Sequence, residues 1–386
     1  MKIQEMDQQY IAGTYRRVPL TLTEGHGSYV TAEDGKQYID LGSGIAVNTF
    51  GSSDPGWLEA VTAQLQKLQH TSNYYYTEPM AKLAALLCEK TGMSKVFFSN
   101  SGAEANECAI KAARKYSFDK YGEGRKTIIT LRDSFHGRTV TTLAATGQDH
   151  FHTMFGPFTE GFKYVPAGDK AALAEAVDDT CCAIMMELIQ GEGGVNVLTQ
   201  DYVDYVVALA KEKDLLIVID EVQTGNGRTG QLYAFMHYGF QPDIMSTAKG
   251  LSGGLPLGAT LFSEKTQNVL VPGTHGSTFG GNPVCAAGAV YVLEHLDEQL
   301  LSEVAEKGQY ICNELSALDG VEEVTGMGLM IGIKLKKNLA ETMAACRDKG
   351  VLVLTAHDKM RLLPPLNIPF DVLKEAVEII KEVINA

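Results

Sequence analysis

Two apolar stretches of the chain each end in a side chain that could carry proton-transfer chemistry. Residues 215–219 lead directly into Asp220, with Gln223 shortly after, and residues 241–248 lead to Lys249. A carboxylate at the tip of a buried strand is costly to desolvate unless it meets a partner. Glycines and small residues around Lys249 would let a flat ligand approach the backbone. Each residue also has an ordinary alternative, since Asp220 could cap a helix or pair in a loop and Lys249 could lie on the surface.

A third segment could bind an anion. Residues 99–106 follow an apolar strand-like segment and open a predicted helix. Backbone amides at a helix N-terminus attract an anion through unpaired N–H donors and through the helix dipole. Ser101 and Glu104 also fit a capping box, which satisfies a helix end without any ligand. The residues alone leave both interpretations open.

Two arginines and an aromatic residue are placed where they could contact a substrate. Phe135 and Arg138 follow the strand-like segment 127–131, and Arg361 lies in an apolar segment near the C-terminus. A guanidinium next to glycine suits bidentate recognition of a carboxylate. Phe135 could equally be a core residue, and Arg361 and the loop carboxylate Glu192 could be ordinary solvated charges.

The loop at residues 225–230 satisfies the dinucleotide-binding pattern G-x-G-x-x-G literally. That pattern indicates a nucleotide only where it follows a strand end at once and opens a helix in the first βαβ unit. Here residues 220–224 intervene and the pattern lies in the middle of the chain. The sequence therefore disfavours a nicotinamide enzyme, and the glycines are expected to form tight turns.

Composition excludes several other classes of protein. The 386 residues carry a formal charge of −14, whereas sequence-independent binding to nucleic acid needs a basic surface. No apolar run approaches the roughly 20 residues of a membrane span, and the N-terminus lacks the plan of a signal peptide. The seven cysteines have no C-x-x-C spacing, so neither a metal site nor a disulfide framework is predicted. We expect a cytoplasmic protein.

Strand-like and helix-like segments alternate through the first three quarters of the chain. This alternation predicts an α/β fold with a mostly parallel sheet covered on both faces, in which ligands bind beyond the carboxyl ends of the strands. Strands buried on both faces are predicted at 95–98, 127–130, 182–186 and 215–219. Helices are predicted around Leu58, Val61, Leu65 and Leu68, behind Pro79, at 103–116 and at 202–211.

The pattern changes after about residue 285. We predict a long helix over 286–317, a strand at 330–335, a short helix, brief strands near Val351 and Arg361, and a closing helix from Phe370. That order suggests a smaller α+β domain. The predicted division is an N-terminal segment (1–45) that crosses to the small domain, a large domain (46–284) and a small C-terminal domain (285–386).

The segments Asp220-Glu221-Val222-Gln223 and Ser246-Thr247-Ala248-Lys249-Gly250 resemble those of the class III (subgroup II) aminotransferases of fold type I. The resemblance runs from about residue 38 to residue 365. It implies a seven-stranded sheet and a pyridoxal 5′-phosphate cofactor bound to Lys249 as a Schiff base. It places Asp220 against the pyridine nitrogen and Gln223 beside the ring hydroxyl. An ionised aspartate there would keep the nitrogen protonated, so that the cofactor can accept carbanion electrons.

The same resemblance implies roles for the other candidates and a homodimer with shared active sites. It assigns phosphate binding to the amides of Gly102 and Ala103 and to Thr278 from the neighbouring subunit, ring stacking to Phe135, substrate carboxylates to Arg138 and Arg361, masking of Arg361 to Glu192, and a position near the substrate to Ser277.

Within the family, the residues favour an amine donor whose α-amine is acylated. Gly44 stands where members acting on free ornithine carry a tyrosine, and segments 44–48, 72–73 and 77–79 are similar to those of members acting on N-acetylornithine. The resemblance therefore implies transfer of the distal amine of N2-acetyl-L-ornithine to 2-oxoglutarate. Ser52 and Asp54 depart from the family, which often has two histidines there.

Two alternatives to that activity remain open. Succinylornithine, succinyl-diaminopimelate, ornithine or 4-aminobutyrate could be the donor of a related ω-aminotransferase. A protein of a different class, a catalytically inactive binding protein on the same scaffold, is disfavoured because it would have no need of Lys249, Asp220 and Arg138 together.

Overall fold

The computed structural model describes residues 2–386, and its first part combines helices with a small antiparallel sheet. Pro55, after the N-cap Asp54, opens the third helix, as proline commonly does at the first helical position. The elements, in chain order, are α1 (Ile3–Tyr10), β1 (Leu22–His26), β2 (Tyr29–Ala32), β3 (Gln37–Asp40), the single turn α2 (Ser43–Ala46), α3 (Pro55–Lys67) and α4 (Glu78–Thr91).

The central region forms the predicted α/β sheet. Its elements are β4 (Lys95–Ser99), α5 (Gly102–Tyr121), β5 (Thr127–Leu131), α6 (Val140–Ala145), β6 (Phe162–Val165), α7 (Lys170–Ala176), β7 (Cys181–Met186), β8 (Ile189–Gln190), β9 (Asn196–Val197), α8 (Gln200–Glu212), β10 (Leu216–Asp220), α9 (Phe235–Tyr238), β11 (Ile244–Thr247) and β12 (Gly258–Phe262). Seven of these strands lie in the order β4-β12-β11-β10-β7-β5-β6. β12 runs antiparallel to both of its neighbours, and the pairs that join β11, β10, β7, β5 and β6 are parallel. The predicted fold class is confirmed.

Burial differs between the middle and the edge of this sheet. β7 and β10 are buried along their whole length, as their apolar sequences predict. β4 is not, because it is an edge strand that begins with the exposed Lys95 and is only partly buried at the next two positions. The prediction of burial on both faces was wrong for that strand. An edge strand lacks a neighbour on one side, and a short apolar run does not reveal this.

The parallel strands bring the candidate residues to one edge of the sheet. β5 precedes Phe135, β7 precedes Glu187, β10 ends at Asp220 and β11 precedes Lys249. Because β5, β7, β10 and β11 run in the same direction, their carboxyl ends lie side by side. This is the edge at which open α/β sheets bind ligands.

The C-terminal region has one helix break and two strands that the sequence did not predict. The predicted helix 286–317 is two helices, because Asp297 leaves the helical conformation and its side chain accepts the amide of Leu300 to cap a new helix. The strands at 321–327 and 354–356 were missed. The elements are α10 (Pro283–His295), α11 (Glu298–Ser316), β13 (Val321–Met327), β14 (Met330–Leu335), α12 (Leu339–Asp348), β15 (Val351–Leu352), β16 (Leu354–Ala356), β17 (Lys359–Leu362) and α13 (Phe370–Asn385).

The two ends of the chain meet in one sheet. β3 pairs in parallel with β15, so the order of this sheet is β1-β2-β3-β15. The remaining C-terminal strands form a separate sheet in the order β13-β14-β17-β16. α10 packs against α3 and α4. The proposed domain boundary after residue 284 therefore falls inside a helix that packs against the preceding region.

Helix α3 leaves apolar side chains uncovered. The helix is formed where the spacing predicts it, but Leu58 is 42% exposed and Leu65 is 55% exposed. Leu68 lies just past the helix end, in an extended conformation. An apolar stripe that the chain does not cover is typical of a protein interface.

No helix within residues 2–386 is both long enough and apolar enough to cross a membrane.

Candidate active site

A cavity of about 240 Å³ lies at the carboxyl edge of the large sheet. It brings together seven of the predicted site residues: Gly102, Ala103, Phe135, Arg138, Asp220, Gln223 and Lys249. Five residues that the sequence did not assign also line it: Asn106, His136, Gly137, Glu187 and Val222. Ser277, Thr278, Glu192 and Arg361 are not among the lining residues.

Two glycines allow the walls of the cavity to approach one another. A Cβ atom on Gly102 would lie 2.6 Å from Cγ1 of Val222, so the start of α5 abuts the loop after β10. Gly137 has a φ of +138°, and a Cβ there would lie 2.8 Å from the Cβ of Ala103. Glycine is the residue that tolerates both the close approach and the positive φ. These contacts bring three separate segments of the chain around one cavity.

Lys249 follows β11 and begins a 3₁₀ turn with a φ of +46°. Burial lowers the pKa of its ammonium group below the usual 10.5, although the charges of Glu192, Asp220 and Glu187 act in the opposite direction. A desolvated lysine of lowered pKa has a larger fraction of neutral amine, which can act as a nucleophile or as a base. The strained backbone and the lowered pKa are both typical of a functional residue.

Asp220 is 3% exposed and is held by three hydrogen bonds. Its Oδ2 accepts from Nδ2 of Asn106 at 2.7 Å and lies 2.8 Å from Nδ1 of His136, while its Oδ1 accepts from the amide of Val222 at 3.0 Å. Such donors stabilise an ionised carboxylate. Nε2 of His136 and Oδ1 of Asn106 are buried and have no partner within residues 2–386. Buried polar atoms without partners are unusual and indicate an absent ligand or water.

The start of α5 combines a helix cap with backbone amides that lie beside the cavity. Oγ of Ser101 accepts the amide of Glu104 at 3.2 Å, whereas the Glu104 carboxylate accepts the amide of Asn100 at 2.6 Å. The reciprocal bond of a capping box would go to the amide of Ser101, so this cap is shifted by one residue. The first amides of a helix have no intrahelical acceptor, and those of Gly102 and Ala103 are beside the cavity.

Glu187 is a buried carboxylate in the cavity wall that the sequence analysis did not single out. Oε2 accepts the amide of Phe135 at 2.9 Å and Oε1 accepts the amide of Gly191 at 3.1 Å. Burial, followed by the charge of Asp220, raises its pKa to about 7. Glu187 comes directly after β7, so the rule that picked out Asp220 at the end of β10 would also have found it.

Glu192 and Arg361 form an ion pair beside the cavity. Nη1 of Arg361 is 2.7 Å from Oε1 of Glu192 and also donates to Oε1 of Gln223 at 2.8 Å. Burial would raise the pKa of Glu192, but the charge of Arg361 and its hydrogen bond lower it below the usual 4.5. Nε of Arg361 is buried without a partner in the described chain, residues 2–386. Gln223 lines the cavity and contacts Arg361, so it connects the ion pair of Glu192 and Arg361 to the cavity.

Ser277 and Thr278 lie apart from these residues within the single chain. Oγ of Ser277 accepts from Nδ2 of Asn100 at 3.3 Å and from the amide of Gly280 at 2.9 Å. Thr278 is exposed. Three residues were assigned to phosphate binding. Gly102 and Ala103 line the cavity of the single chain, whereas Thr278 does not.

The turn α2 is left-handed. Ser43, Gly44, Ile45 and Ala46 all have positive φ values, between 46° and 66°. Such a conformation costs about 1–2 kcal/mol for each residue other than glycine. The turn approaches the lysine segment closely, because a Cβ on Gly250 would lie 3.2 Å from the carbonyl oxygen of Ala46. Strain of this kind concentrates at functional sites.

The glycine loop at residues 225–230 supports the lysine segment and opens no helix. Nδ2 of Asn226 donates to Oγ1 of Thr247 and to the carbonyl of Ala248, both at 3.1 Å. The next helix, α9, begins only at Phe235. The dinucleotide interpretation fails on this local structure, since its phosphate site requires a helix N-terminus directly after the loop.

Comparison with known proteins identifies the family. The family model "Aminotransferase class-III" matches residues 10–384. The chain belongs to the class III aminotransferases. Within residues 2–386 no group of three or more His, Cys, Asp or Glu side chains could hold a metal ion.

Two acetylornithine aminotransferases are similar to this protein over the full length of the chain. The acetylornithine aminotransferase of Haemophilus ducreyi is 50% identical over 387 residues, covering 100% of this chain and 98% of that protein. The acetylornithine aminotransferase of Caldanaerobacter subterraneus subsp. tengcongensis is 45% identical and covers 98% of both chains. The predicted family is therefore confirmed.

Solved structures agree with the fold. The ornithine aminotransferase of Toxoplasma gondii, a crystal structure with partial occupancy of PLP at the active site, superimposes with a TM-score of 0.94 at 31% identity, covering 99% of this chain and 93% of that one. The N-acetylornithine aminotransferase of Stenotrophomonas maltophilia gives a TM-score of 0.86 at 32% identity, covering 99% and 97%.

Proposed function

We propose that this class III aminotransferase transfers the distal amino group of N2-acetyl-L-ornithine to 2-oxoglutarate, giving N-acetylglutamate 5-semialdehyde and glutamate. The reaction is a step of arginine biosynthesis, and we expect it to take place in the cytoplasm. The observation that carries the proposal is the convergence of Lys249 and Asp220 on one cavity, in a chain that is 50% identical to an acetylornithine aminotransferase.

The cavity residues fit pyridoxal 5′-phosphate. A carboxylate held by Asn106 and His136 suits a protonated ring nitrogen, and the amides of Gly102 and Ala103 suit a phosphate. Phe135, partly buried in the cavity wall, suits stacking on a flat ring. When bound, this cofactor supplies an electron sink that stabilises a carbanion.

Lys249 performs the proton transfers of the proposed reaction. Its Nζ would hold the cofactor, and burial favours the neutral form of the amine, which can accept a proton. As the base, Lys249 would remove a proton from the δ-carbon of the donor, and as the acid it would later return one. The contacts with Asn106 and His136 hold the Asp220 carboxylate in the orientation that would face a protonated ring nitrogen.

Two arginines orient the substrates. Arg138 binds the carboxylate of N-acetylornithine at the cavity wall, and the ion pair with Glu192 keeps Arg361 masked while this donor is bound. In the second half-reaction Glu192 moves away, and 2-oxoglutarate binds between Arg361 and Arg138. Fixing both ends of a substrate places its reacting carbon and so removes part of the entropic barrier.

The proposed active unit is a homodimer in which Thr278 reaches the cofactor phosphate of the partner subunit. Its support is that Thr278 is exposed and does not line the cavity of its own chain. Exposed apolar side chains on and after α3, and at Tyr74, Tyr75 and Tyr76, offer an interface. Sedimentation analysis should give a dimer, and a monomer with full activity would refute this part of the proposal.

A comparison of amine donors tests the reaction directly. The holoenzyme is mixed with N-acetylornithine, ornithine, succinylornithine, succinyl-diaminopimelate or 4-aminobutyrate, and the absorbance of the bound cofactor is followed in a single turnover. We expect N-acetylornithine to give the highest value of kcat/KM. Preference for free ornithine would favour the activity named for the Toxoplasma gondii enzyme, which is similar in fold. If none of these amines changes the absorbance spectrum of the bound cofactor, the result would instead favour a catalytically inactive binding protein.

A further inference from the structure

Arg138 is held by aromatic rings and not by an acidic partner. It is exposed, and no carboxylate or hydrogen-bond acceptor in the described part of the chain pairs with it. Its guanidinium carbon lies 4.1 Å from the ring centroid of Phe151 and 5.3 Å from that of Phe135. The Phe151 contact is the closer of the two, and Phe151 is not a residue of the cavity wall.

The position of Phe151 is itself fixed by several contacts. Phe151 lies in the 3₁₀ turn Asp149–His152, and its ring meets the ring of Phe135 edge to face, with centroids 6.3 Å apart and an interplanar angle of 66°. Nε2 of Gln148 donates to the carbonyl of Ser134 at 3.0 Å, which connects this turn to the loop that carries Phe135 and Arg138. Nε2 of His152 lies 3.0 Å from the carbonyl of Leu143 in α6. The ring is therefore attached to the wall of the active site.

Stacking on a ring face positions an arginine differently from an ion pair. A guanidinium has five N–H donors at its edge, and a carboxylate partner in the protein would occupy two of them and neutralise the charge. A ring face attracts the cation without using any of these donors. Arg138 thus keeps its full fork and its charge for a carboxylate that arrives with a substrate.

We propose that Phe151 is a positioning residue that holds Arg138 in place for the substrate carboxylate by a cation–π contact. The inference rests on the proposed function, since it takes the carboxylate of N-acetylornithine as the group that Arg138 binds. It adds a residue outside the cavity wall to the determinants of specificity, and it predicts that only carboxylate-bearing substrates respond to changes at Phe151.

Binding of a substrate analogue separates this inference from the reaction itself. N2-acetyl-L-norvaline has the carboxylate and the acetyl group of N-acetylornithine but no distal amine, so it binds without reacting. Calorimetry with the holoenzyme should give a Kd about 3- to 10-fold higher for Phe151→Leu than for wild type, as expected for the loss of one partly exposed cation–π contact. Phe151→Tyr keeps a ring face and should stay close to wild type.

Controls distinguish positioning from packing. Phe155→Leu alters another aromatic residue of the same region, 55% exposed, and should leave the Kd unchanged. In an Arg138→Ala background, Phe151→Leu should have no further effect, because the two changes remove the same interaction. In steady-state turnover, Phe151→Leu should raise KM for N-acetylornithine and leave kcat nearly unchanged. The reaction with 1-aminobutane, which has no carboxylate, should also be nearly unchanged.

Three results for N-acetylnorvaline would overturn the inference. The first is an equal Kd for Phe151→Leu and wild type. The others are equally weakened binding in Phe151→Leu and Phe151→Tyr, and no binding to the wild-type enzyme. A wild-type enzyme that binds N-acetylnorvaline but does not transaminate N-acetylornithine would refute the proposed function alone, and the effect of Phe151→Leu on binding would still decide the inference.

Discussion

The ion pair between Glu192 and Arg361 should limit how tightly the enzyme binds dicarboxylates. A dicarboxylate that uses Arg361 must first displace a charge-assisted hydrogen bond of 2.7 Å from a side chain that is 3% exposed. Such bonds contribute about 1.5–3 kcal/mol, which corresponds to about 10- to 150-fold in affinity. Glu192→Gln keeps the shape of the side chain and an amide oxygen that can still accept a hydrogen bond from Arg361. Glu192 is also 31% exposed, so we expect the lower end of this range of affinity changes.

We therefore expect Glu192→Gln to bind glutarate about 10-fold more tightly than wild type, the lower end of the range for a charge-assisted bond. Glutarate resembles 2-oxoglutarate without the keto group, and calorimetry of its binding to the holoenzyme needs no turnover. The matched control is Glu323→Gln. Glu323 pairs at 2.8 Å with Lys359, which is buried on the same strand as Arg361.

The control should leave the affinity for glutarate unchanged. An unchanged affinity in Glu192→Gln would show that Glu192 does not mask Arg361, even though the two side chains are in contact. Weaker binding would contradict the reasoning more strongly, because it would make Glu192 part of the binding site for the dicarboxylate.

Three further predictions concern other buried charges. Asp220→Ala should lower kcat at least about 100-fold, as loss of a preorganised charge does, while the absorbance of the bound cofactor persists; an unchanged kcat would exclude Asp220 from the chemistry. Burial raises the pKa of Glu221 from 4.5 to about 7, so the native state holds a proton that the unfolded state releases, and stability falls as pH rises through this window. Glu221→Gln should reduce that dependence and leave the part that Glu187 contributes, measured by urea unfolding at about pH 5 and about pH 8; an equal slope in the variant and wild type would contradict this. Arg228, which burial alone shifts to a pKa of about 9, donates to the carbonyls of Leu329 and Pro364. Arg228→Met should lower the free energy of unfolding by about 2 kcal/mol, because it leaves those carbonyls unpaired; no loss in urea denaturation would refute the assignment.

The residues at the ends of buried strands could be predicted from the sequence. Asp220 and Lys249 follow apolar runs that form β10 and β11, and the parallel arrangement brings them to one cavity. This reasoning is reliable because burial on both faces of a parallel strand leaves a clear apolar pattern. It singled out Asp220 and Lys249, whereas the other five predicted residues of the cavity wall owe their assigned roles to the family resemblance.

The partners of those residues could not be predicted in the same way. Asn106 is on α5 and His136 is in the loop after β5, and only the packing of α5 on the sheet brings both to Asp220. The contact between Arg361 and Glu192 joins residues that are far apart in sequence, and it was expected only from the family resemblance. Spacing along the chain contains no information about such distances.

Two errors in the fold have local causes. The break between α10 and α11 depends on Asp297, a residue type that commonly caps helices. The apolar pattern continues on both sides of it, and this pattern predicts one unbroken helix. β13 was missed because its sequence includes two exposed glutamates and a glycine, which weaken the alternation expected of a strand.

The proposed reaction depends on covalent binding of the cofactor by Lys249. The most direct measurement is mass spectrometry of the holoenzyme after borohydride reduction and proteolysis. We predict a phosphopyridoxyl group on the peptide that contains Lys249. In Lys249→Ala, both this group and amino-group transfer should be lost. A label on a different lysine, or full transfer activity in Lys249→Ala, would contradict it.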